Sequence, residues 1–360
     1  MKVSGCLLMP KNSHHVQLRE AYVIDDAIEN IISNIKENIS HINAAKILFT
    51  GASGFFGFWF LRLFIQLHNL NLFHGELILV TRNKKNILHY IPIISELKWI
   101  HIIEGDIRSV QFKNFNPDHL IHFASTSASE TYSGIEQIEK IDTLYLGTKN
   151  IFEQCGETLK KVVFASSGAA YGFIDGGKNI TEENYSMLQS QDEKYALCIG
   201  KIVSEFQIKQ YSKKFGFDYS IARCFSFAGE FMPLNFHYAV GNFIENALKS
   251  EKIKVHGDGS TIRSYMYVGD AITWLMTLLA EPKNEVLNVG SDEMYTIREV
   301  AEIVARYADT TVEILGQVTR EGNFNRSAYV PDLTKIRHLY PALQLNVTLP
   351  MIVKRMLVEG

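Results

Sequence analysis

The sequence predicts a doubly wound α/β fold: a parallel sheet covered by helices on both faces, with a smaller α/β region toward the C-terminus. Three observations predict it. Residues 46–57, KILFTGASGFFG, join a strand-length apolar run to a long apolar segment through a turn with glycines at 51, 54 and 57. Further strand-length runs follow as unbroken apolar stretches without alternation, the pattern of strands buried on both faces. Helical patterns separate these runs, as βαβ crossovers require.

Taken in order, residues 1–20 show no periodicity, and the adjacent His14 and His15 lack a third ligand at usable spacing, so they read as solvated. From Asp25 onward Ile28, Ile31, Ile32, Ile35 and Ile39 recur at helical spacing, and Asp26 with Glu29 forms a capping-box pattern. A helix of about four turns is expected there, packed on the main domain or against a second copy. In the glycine turn, Gly51 permits the tight bend, Gly54 lets the backbone approach a diphosphate, and Gly57 lets helix and strand pack closely. The free N–H groups and positive dipole end of the following helix face such a ligand. That helix, 56–68, is apolar nearly all round, so its aromatic side chains belong to the core. Strand-length runs follow at 76–82, 98–106, 118–125 and 160–167, with a helical stretch at 135–154, and 218–226 and 285–291 extend the sheet. The expected organisation is an extension over 1–43, a dinucleotide-binding domain mainly over 44–225 with 281–300 returning to it, and a substrate-binding region mainly over 226–360.

Bulk properties exclude several classes. With 36 Lys plus Arg against 39 Asp plus Glu, the net charge of −3 gives no electrostatic basis for binding nucleic acid or an anionic membrane. Four scattered cysteines, none in C-x-x-C spacing, fit a reducing compartment and argue against a disulfide framework or zinc site. No run approaches the ~18 apolar residues of a membrane span, and the N-terminus does not read as a signal peptide, so a cytoplasmic protein is expected.

The end of the second strand bears on the cofactor. NAD-binding units of this kind place a carboxylate there for the ribose hydroxyls; this chain reads Val80-Thr81-Arg82-Asn83-Lys84-Lys85. Arg82, helped by Lys84 or Lys85, suits the 2′-phosphate of NADP, while the other reading is a solvated basic loop. NADP is therefore the expected cofactor, with NAD allowed. Asp106 closes the third strand, where it accepts from the adenine amino group or caps a helix.

Several ordered motifs together resemble the extended short-chain dehydrogenase/reductases, in the NAD(P)-dependent nucleotide-sugar epimerase/dehydratase branch. They are GASGFFG (51–57), EGDIR (104–108), HLIHFAS (119–125), GTKN (147–150), FASSGAAYG (164–172), GK…SE (200–205), HGDGSTIRSYMYVGD (256–270) and NVGS (288–291). The resemblance runs from about residue 20 to the C-terminus and implies a Rossmann-type fold and hydride transfer between nicotinamide and a sugar carbon. It assigns the cofactor to Gly51, Ser53, Gly54, Phe55, Phe56, Gly57, Arg82, Asp106, Ile107, Ala124 and Lys201, and the substrate to Ser125, Asn242, Arg263 and Arg326. Ser167 matches the catalytic hydroxyl and Lys201 the lysine that lowers the pKa of a catalytic Tyr.

Three departures accompany the match. The residue four before Lys201 is Leu197; Tyr195, the candidate catalytic acid/base, lies six before, about 120° around a helix from the lysine, and serves if the helix begins late or carries a bulge. Related dehydratases carry an Asp-Glu pair after the catalytic hydroxyl, where this chain has Gly168-Ala169, which disfavours dehydration. The family Asn three beyond Arg223 is Ser226 here. What remains is 4-epimerisation or reduction of a 4-keto nucleotide sugar. The segment 222–244 resembles a subgroup serving O-antigen or capsule synthesis, and dimers in the family form through a helix pair including 195–215. Alternatives are a dehydratase or decarboxylase of the same family, or a cofactor-binding homologue without turnover.

Overall fold

The computed structural model describes residues 26–125, 136–172, 179–184, 195–234, 238–316 and 328–359. The elements in chain order begin with α1 (Asp26–Asn34), β1 (Lys46–Thr50), α2 (Phe55–Asn69), β2 (Glu76–Thr81), α3 (Lys84–Tyr90), β3 (Ile100–Glu104), β4 (His119–His122), α4 (Gln137–Cys155) and β5 (Lys161–Ser167). They continue with α5 (Ala196–Phe215), β6 (Asp218–Cys224), β7 (Phe227–Ala228), α6 (Ala239–Leu248), β8 (Ile253–Val255), β9 (Ile262–Arg263), β10 (Met266–Tyr267) and α7 (Val268–Ala280). The last are β11 (Glu285–Val289), β12 (Tyr295–Thr296), α8 (Ile297–Tyr307), β13 (Val312–Ile314), β14 (Ala328–Tyr329), α9 (Thr334–Leu339) and α10 (Leu349–Glu359).

Seven strands form one sheet in the order β11-β6-β5-β4-β1-β2-β3, and every pairing is parallel. The strands are apolar throughout because alternate residues enter two separate cores. In β1, Ile47 and Phe49 pack toward α2 and α7, while Leu48 packs with Ile151, Phe152 and Ile208 of α4 and α5. The strand order changes direction between β1 and β4, and the crevice above that point, at the carboxyl ends of the strands, is where open α/β sheets bind ligands.

The helix expected from Ile28 to Ile39 is shorter than its apolar pattern. After α1 the chain tightens into a turn and a 3₁₀ segment, Ile39–His41, with three-residue bonds such as Asn38 N to Ile35 O (2.8 Å). Ile35 and Ile39 remain buried all the same. The Asn38 side chain donates to Glu281 at 3.0 Å, which anchors the turn on the far side of α7. Asp26 is the first helical residue, and Arg355 of α10 clamps its carboxylate at 2.6 Å while reaching Glu230 at 3.2 Å. The two ends of the described chain are thereby joined, and α1 packs on α7 and α2.

The C-terminal part is built from short pieces. Two-residue strands β12 and β14 flank β9, β8 pairs with β13, and β7 pairs with β10. Helix α8 starts at a reciprocal cap, in which the Thr296 hydroxyl accepts from Glu299 N and the Glu299 carboxylate accepts from Thr296 N. Among the described residues, no helix is long and apolar enough to cross a membrane.

Candidate active site

The first βα turn lies at the centre of the crevice, and its three glycines have different reasons to be there. Gly51 has φ +80°, and a Cβ on it would stand 2.7 Å from the Phe123 carbonyl carbon and 2.9 Å from Ala124 N. Gly57 lies against Ala52, whose Cα would be 2.6 Å from an added Cβ. Gly54 is different: its φ is −89°, and the nearest atom to an added Cβ is Gly51 O at an ordinary 3.4 Å. The protein itself does not require glycine at 54, so the open space over its Cα is the cradle that a diphosphate would fill. No side chain caps the first turn of α2, which leaves its N–H groups directed at the same space. Phe55 and Phe56 turn their rings inward, Phe56 against Phe227 at 4.9 Å and Phe123 at 6.0 Å, so any contact they offer the cradle is through backbone.

Beside the turn, the end of β4 is held by a buried chain of polar groups. Ala124 N donates to Thr50 Oγ1 (3.1 Å), Thr50 Oγ1 lies 2.8 Å from His122 Nδ1, and His122 Nε2 lies 3.0 Å from Thr148 Oγ1. Thr148 donates to Ser204 Oγ (3.2 Å), which donates to Gly200 O and Leu144 O. Burial, with Lys201 adding its charge, pulls His122 down to about 3, so the ring is neutral. Ser204 gives its proton to the carbonyls and so accepts from Thr148, Thr148 accepts from Nε2–H of His122, and Nδ1 is left to accept the Thr50 hydroxyl proton. Sequence reading did not find this chain: His122 and Thr148 look like core positions until the strands and α4 are assembled.

Toward the outer edge, Thr81 Oγ1 stands 3.5 Å from Ser53 Oγ, and Arg82 follows on an exposed turn close enough to Asp106 to contribute to lowering its pKa. Arg108 is the main cause of that lowering: its guanidinium donates to both Asp106 carboxylate oxygens (3.0 and 2.6 Å), and its backbone N–H donates at 2.9 Å. Asp106 therefore closes a turn with Arg108 instead of capping a helix. Ile107 is buried beneath it against Gly147 of α4. The residues expected at the adenosine end, Ser53, Arg82, Asp106 and Ile107, are thus gathered on one side of the crevice.

On the other side, Ser167 is the last residue of β5, and its Oγ accepts from Ala169 N at 3.0 Å. Lys201 of α5 is buried, donates to Ala165 O at 2.6 Å, and has its ammonium 4.8 Å from the Phe164 ring centre. Burial lowers it to about 8, against the opposing pull of Cys224 and Glu205. The bonded Ala165 carbonyl lies two residues before Ser167, so the ammonium is held near the carboxyl end of the strand, packed on the Phe164 ring. Tyr195 immediately precedes α5 with αR backbone (φ −84°, ψ −5°) and is buried, while Leu197 is half-buried on the Lys201 side.

Below these groups lies a second buried network. Ser166 donates to Glu205 at 2.5 Å, and Arg223 grips the same carboxylate through Nε (3.0 Å) and Nη2 (2.7 Å). The guanidinium lies 4.4 Å from the centre of the Tyr171 ring, whose hydroxyl donates to Asn288 at 2.6 Å. Asn288 continues to Ile180 O and Asp332 O, joining β5 to the C-terminal part. Arg223 is therefore committed to a structural ion pair.

In the C-terminal part, Arg263 of β9 pairs in register with Tyr295 and Tyr329. Asn242 is half-buried on α6, and Ser125 is half-buried at the end of the β4 loop. Arg326, like His14 and His15, lies outside the described residues.

A family model described as "NAD dependent epimerase/dehydratase family" matches residues 47–290. The chain belongs to this family. As a member of the epimerase/dehydratase family it is an enzyme of that class. It is 25% identical over 339 residues to UDP-glucuronic acid decarboxylase 1 of Danio rerio, covering 90% of this chain and 78% of that one. It is 29% identical over 290 residues to a putative UDP-glucose 4-epimerase of Methanocaldococcus jannaschii, covering 78% and 88%. Among solved structures, the UDP-glucuronic acid 4-epimerase of Bacillus cereus in complex with UDP-glucuronic acid and NAD superposes with a TM-score of 0.72 at 20% identity, over 87% of this chain and 98% of that one. This last similarity concerns the fold. Within the family pattern, Gly168-Ala169 turns out to be a place of contact: the Tyr329 ring covers Gly168 and leaves no room for a side chain there.

Proposed function

We propose that the chain is an NAD(P)-dependent oxidoreductase of nucleotide-linked hexoses, acting as a 4-epimerase or 4-ketoreductase on a UDP-sugar. The observation that carries this reading is the convergence, at the carboxyl ends of strands of one sheet, of Ser167, the Lys201 ammonium bonded to Ala165 O two residues before it, and the empty-sided Gly54 cradle. The Gly51-to-Gly57 turn and the α2 N-terminus would hold the cofactor diphosphate, and Asp106 with Ile107 the adenine. Arg82, with Ser53 beside Thr81, favours NADP through the 2′-phosphate, and Ala124 would line the cofactor at the end of β4. When bound, the nicotinamide supplies hydride exchange with a sugar carbon. Ser167 holds the reacting sugar hydroxyl by hydrogen bond, and Lys201 provides the positive charge that favours loss of its proton and binds the nicotinamide ribose. Arg263, Asn242, Ser125 and Arg326 would bind the sugar and diphosphate. This division assigns 44–225 and 281–300 mainly to the cofactor and 226–360 mainly to the nucleotide sugar.

The test is incubation with NAD or NADPH and a panel of UDP-hexoses, UDP-hexuronic acids and UDP-4-keto sugars, followed by product mass. An unchanged mass with a new stereoisomer identifies the epimerase, and gain of two hydrogens with NADPH oxidation identifies the reductase. Loss of carbon dioxide from a hexuronic acid would replace both with the decarboxylase activity named for several relatives. Arg82→Ala should weaken NADPH binding roughly tenfold and leave NADH unchanged, as loss of one charge-assisted phosphate contact implies.

We further infer a homodimer through α4 and α5, which expose Ile138 (58%) and Phe206 (62%) together with Tyr145 and Leu146. Phe206→Glu should shift sedimentation toward monomer. A cytoplasmic role in O-antigen or capsule precursor supply accords with this substrate class.

A further inference from the structure

The helix carrying Lys201 offers it no phenol at the four-residue offset, where Leu197 stands. Helix α5 runs unbroken from Ala196, and Tyr195 stands outside it as the N-cap in a 3₁₀ turn, six residues from Lys201 and at no helical position that shares its face. A different phenol arrives from the C-terminal part. The Tyr329 ring packs on Phe225 at 4.6 Å between ring centres and lies along the main chain of Gly168. A methyl group on Gly168 would overlap the Tyr329 hydroxyl and stand 2.9 Å from its Cζ and 3.0 Å from Cε2. Because Gly168 directly follows Ser167, the hydroxyl sits at the corner that bears the proposed catalytic serine.

The other side of Tyr329 matters equally. On β14 it pairs in parallel register with Arg263 of β9, and residues in register on neighbouring strands project from the same face. The phenol and the Arg263 side chain therefore leave the same face of this small sheet, with the guanidinium donating to Ile262 O at 2.8 Å. In a nucleoside-diphosphate hexose the sugar is bonded directly to the terminal phosphate. A substrate held at Arg263 and reacting at Ser167 must place its hexose between them, against Tyr329.

We propose that Tyr329 is the acid–base phenol of this site, an inference that rests on the hydride-transfer reading above. As the sugar C4–H bond breaks and its electron pair passes to the nicotinamide, the Tyr329 phenolate takes the proton of the C4 hydroxyl, leaving a C4 carbonyl and a neutral phenol. In the reverse direction the phenol returns that proton to the oxygen as the C–H bond re-forms. Gly168 acquires a purpose in this arrangement: its missing side chain is what admits the phenol.

The experiment compares wild type, Tyr329→Phe, Tyr195→Phe and Gly168→Ala, each with its cofactor, for turnover of the UDP-sugar that wild type converts and for calorimetric affinity toward that sugar. Tyr329→Phe should lower kcat by about 10²–10⁴-fold, the usual contribution of a positioned acid–base group, with Kd for the UDP-sugar changed less than about threefold. Tyr195→Phe should keep wild-type turnover within about threefold. Gly168→Ala should lower kcat in the wild-type background and add little to Tyr329→Phe, since both remove the same hydroxyl from the same place. Loss of turnover in Tyr195→Phe with Tyr329→Phe active overturns the proposal, as does an effect of Tyr329→Phe confined to substrate affinity. If wild type converts no nucleotide sugar yet binds one, the functional reading fails first, and that result is distinguishable from either.

Discussion

The two sides of the crevice are built in different ways. The cofactor side consists of consecutive strand ends: β1, β2, β3 and β4 deliver Gly51, Arg82, Asp106 and Ala124 from adjoining places in one sheet, braced by the buried Thr50–His122–Thr148–Ser204 chain. The substrate side is gathered from two-residue strands, β9 and β14, whose members lie far apart in the chain and meet the end of β5 through Tyr329 on Gly168 and through Tyr171, which stacks on Arg223 of the Glu205–Arg223 pair and bonds to Asn288. One side follows from local backbone geometry, the other from long-range convergence. A substitution on the first should act where it is made; a substitution at the seam should act on both.

The seam gives the largest expected effect. Glu205→Ala strips the carboxylate from Arg223 and Ser166 and leaves a buried guanidinium without its partner, a change expected to cost about 3–5 kcal/mol. Denaturant unfolding would measure it, and a loss below about 1 kcal/mol would mean the two sides are not joined through this pair. Next comes Gly51→Ala, which forces a side chain into positive φ and against the backbone of Phe123. Its cost is on the order of 1–3 kcal/mol. If the cofactor side is self-contained, dinucleotide affinity should fall while UDP affinity, read by calorimetry, holds.

The contrast also explains what could be read without a structure. The strands, the glycine turn and the serine at the end of β5 were legible because each depends on a few neighbouring residues: Ile47 to Phe49 predicts its own burial, and Gly51 its own bend. Asp106 was read only halfway, since the partner that fixes its turn is Arg108 and spacing alone does not reveal a clamp. His122 was hidden because its partners come from β1, α4 and α5. Tyr329 had no local signal at all: nothing in AYVPD distinguishes a core tyrosine from one laid over Gly168. The shortened α1 is a subtler case, because apolar spacing records which side is buried and not whether the backbone between is α or 3₁₀.

A pH series sharpens the cofactor side further. His122 titrates near 6.5 when unfolded and is held down to about 3 in the fold. Between those values the unfolded chain binds the extra proton, so stability contributed by the neutral ring is full above about 6.5 and is lost as pH falls toward 3. One such site contributes a slope of up to about 1.4 kcal/mol per pH unit. His122→Gln should show a shallower decline over that range in urea melts, and an unchanged slope would mean the ring is not kept neutral. The smallest effect is expected at the α8 cap: Thr296→Ala removes one half of it and should cost about 1 kcal/mol in the same urea melts.

The position of β11 has a consequence for biosynthesis. It completes the sheet beside β6, yet residues 225–284 must be made between the two strands. A ribosome-bound chain that has emerged only that far presents β6 as a bare, apolar edge with its ladder groups unpaired, the kind of edge that invites pairing with another nascent chain. The interval between translation of Cys224 and Val289 is therefore one in which this protein is open to such pairing, and slowing elongation there should lower its soluble yield.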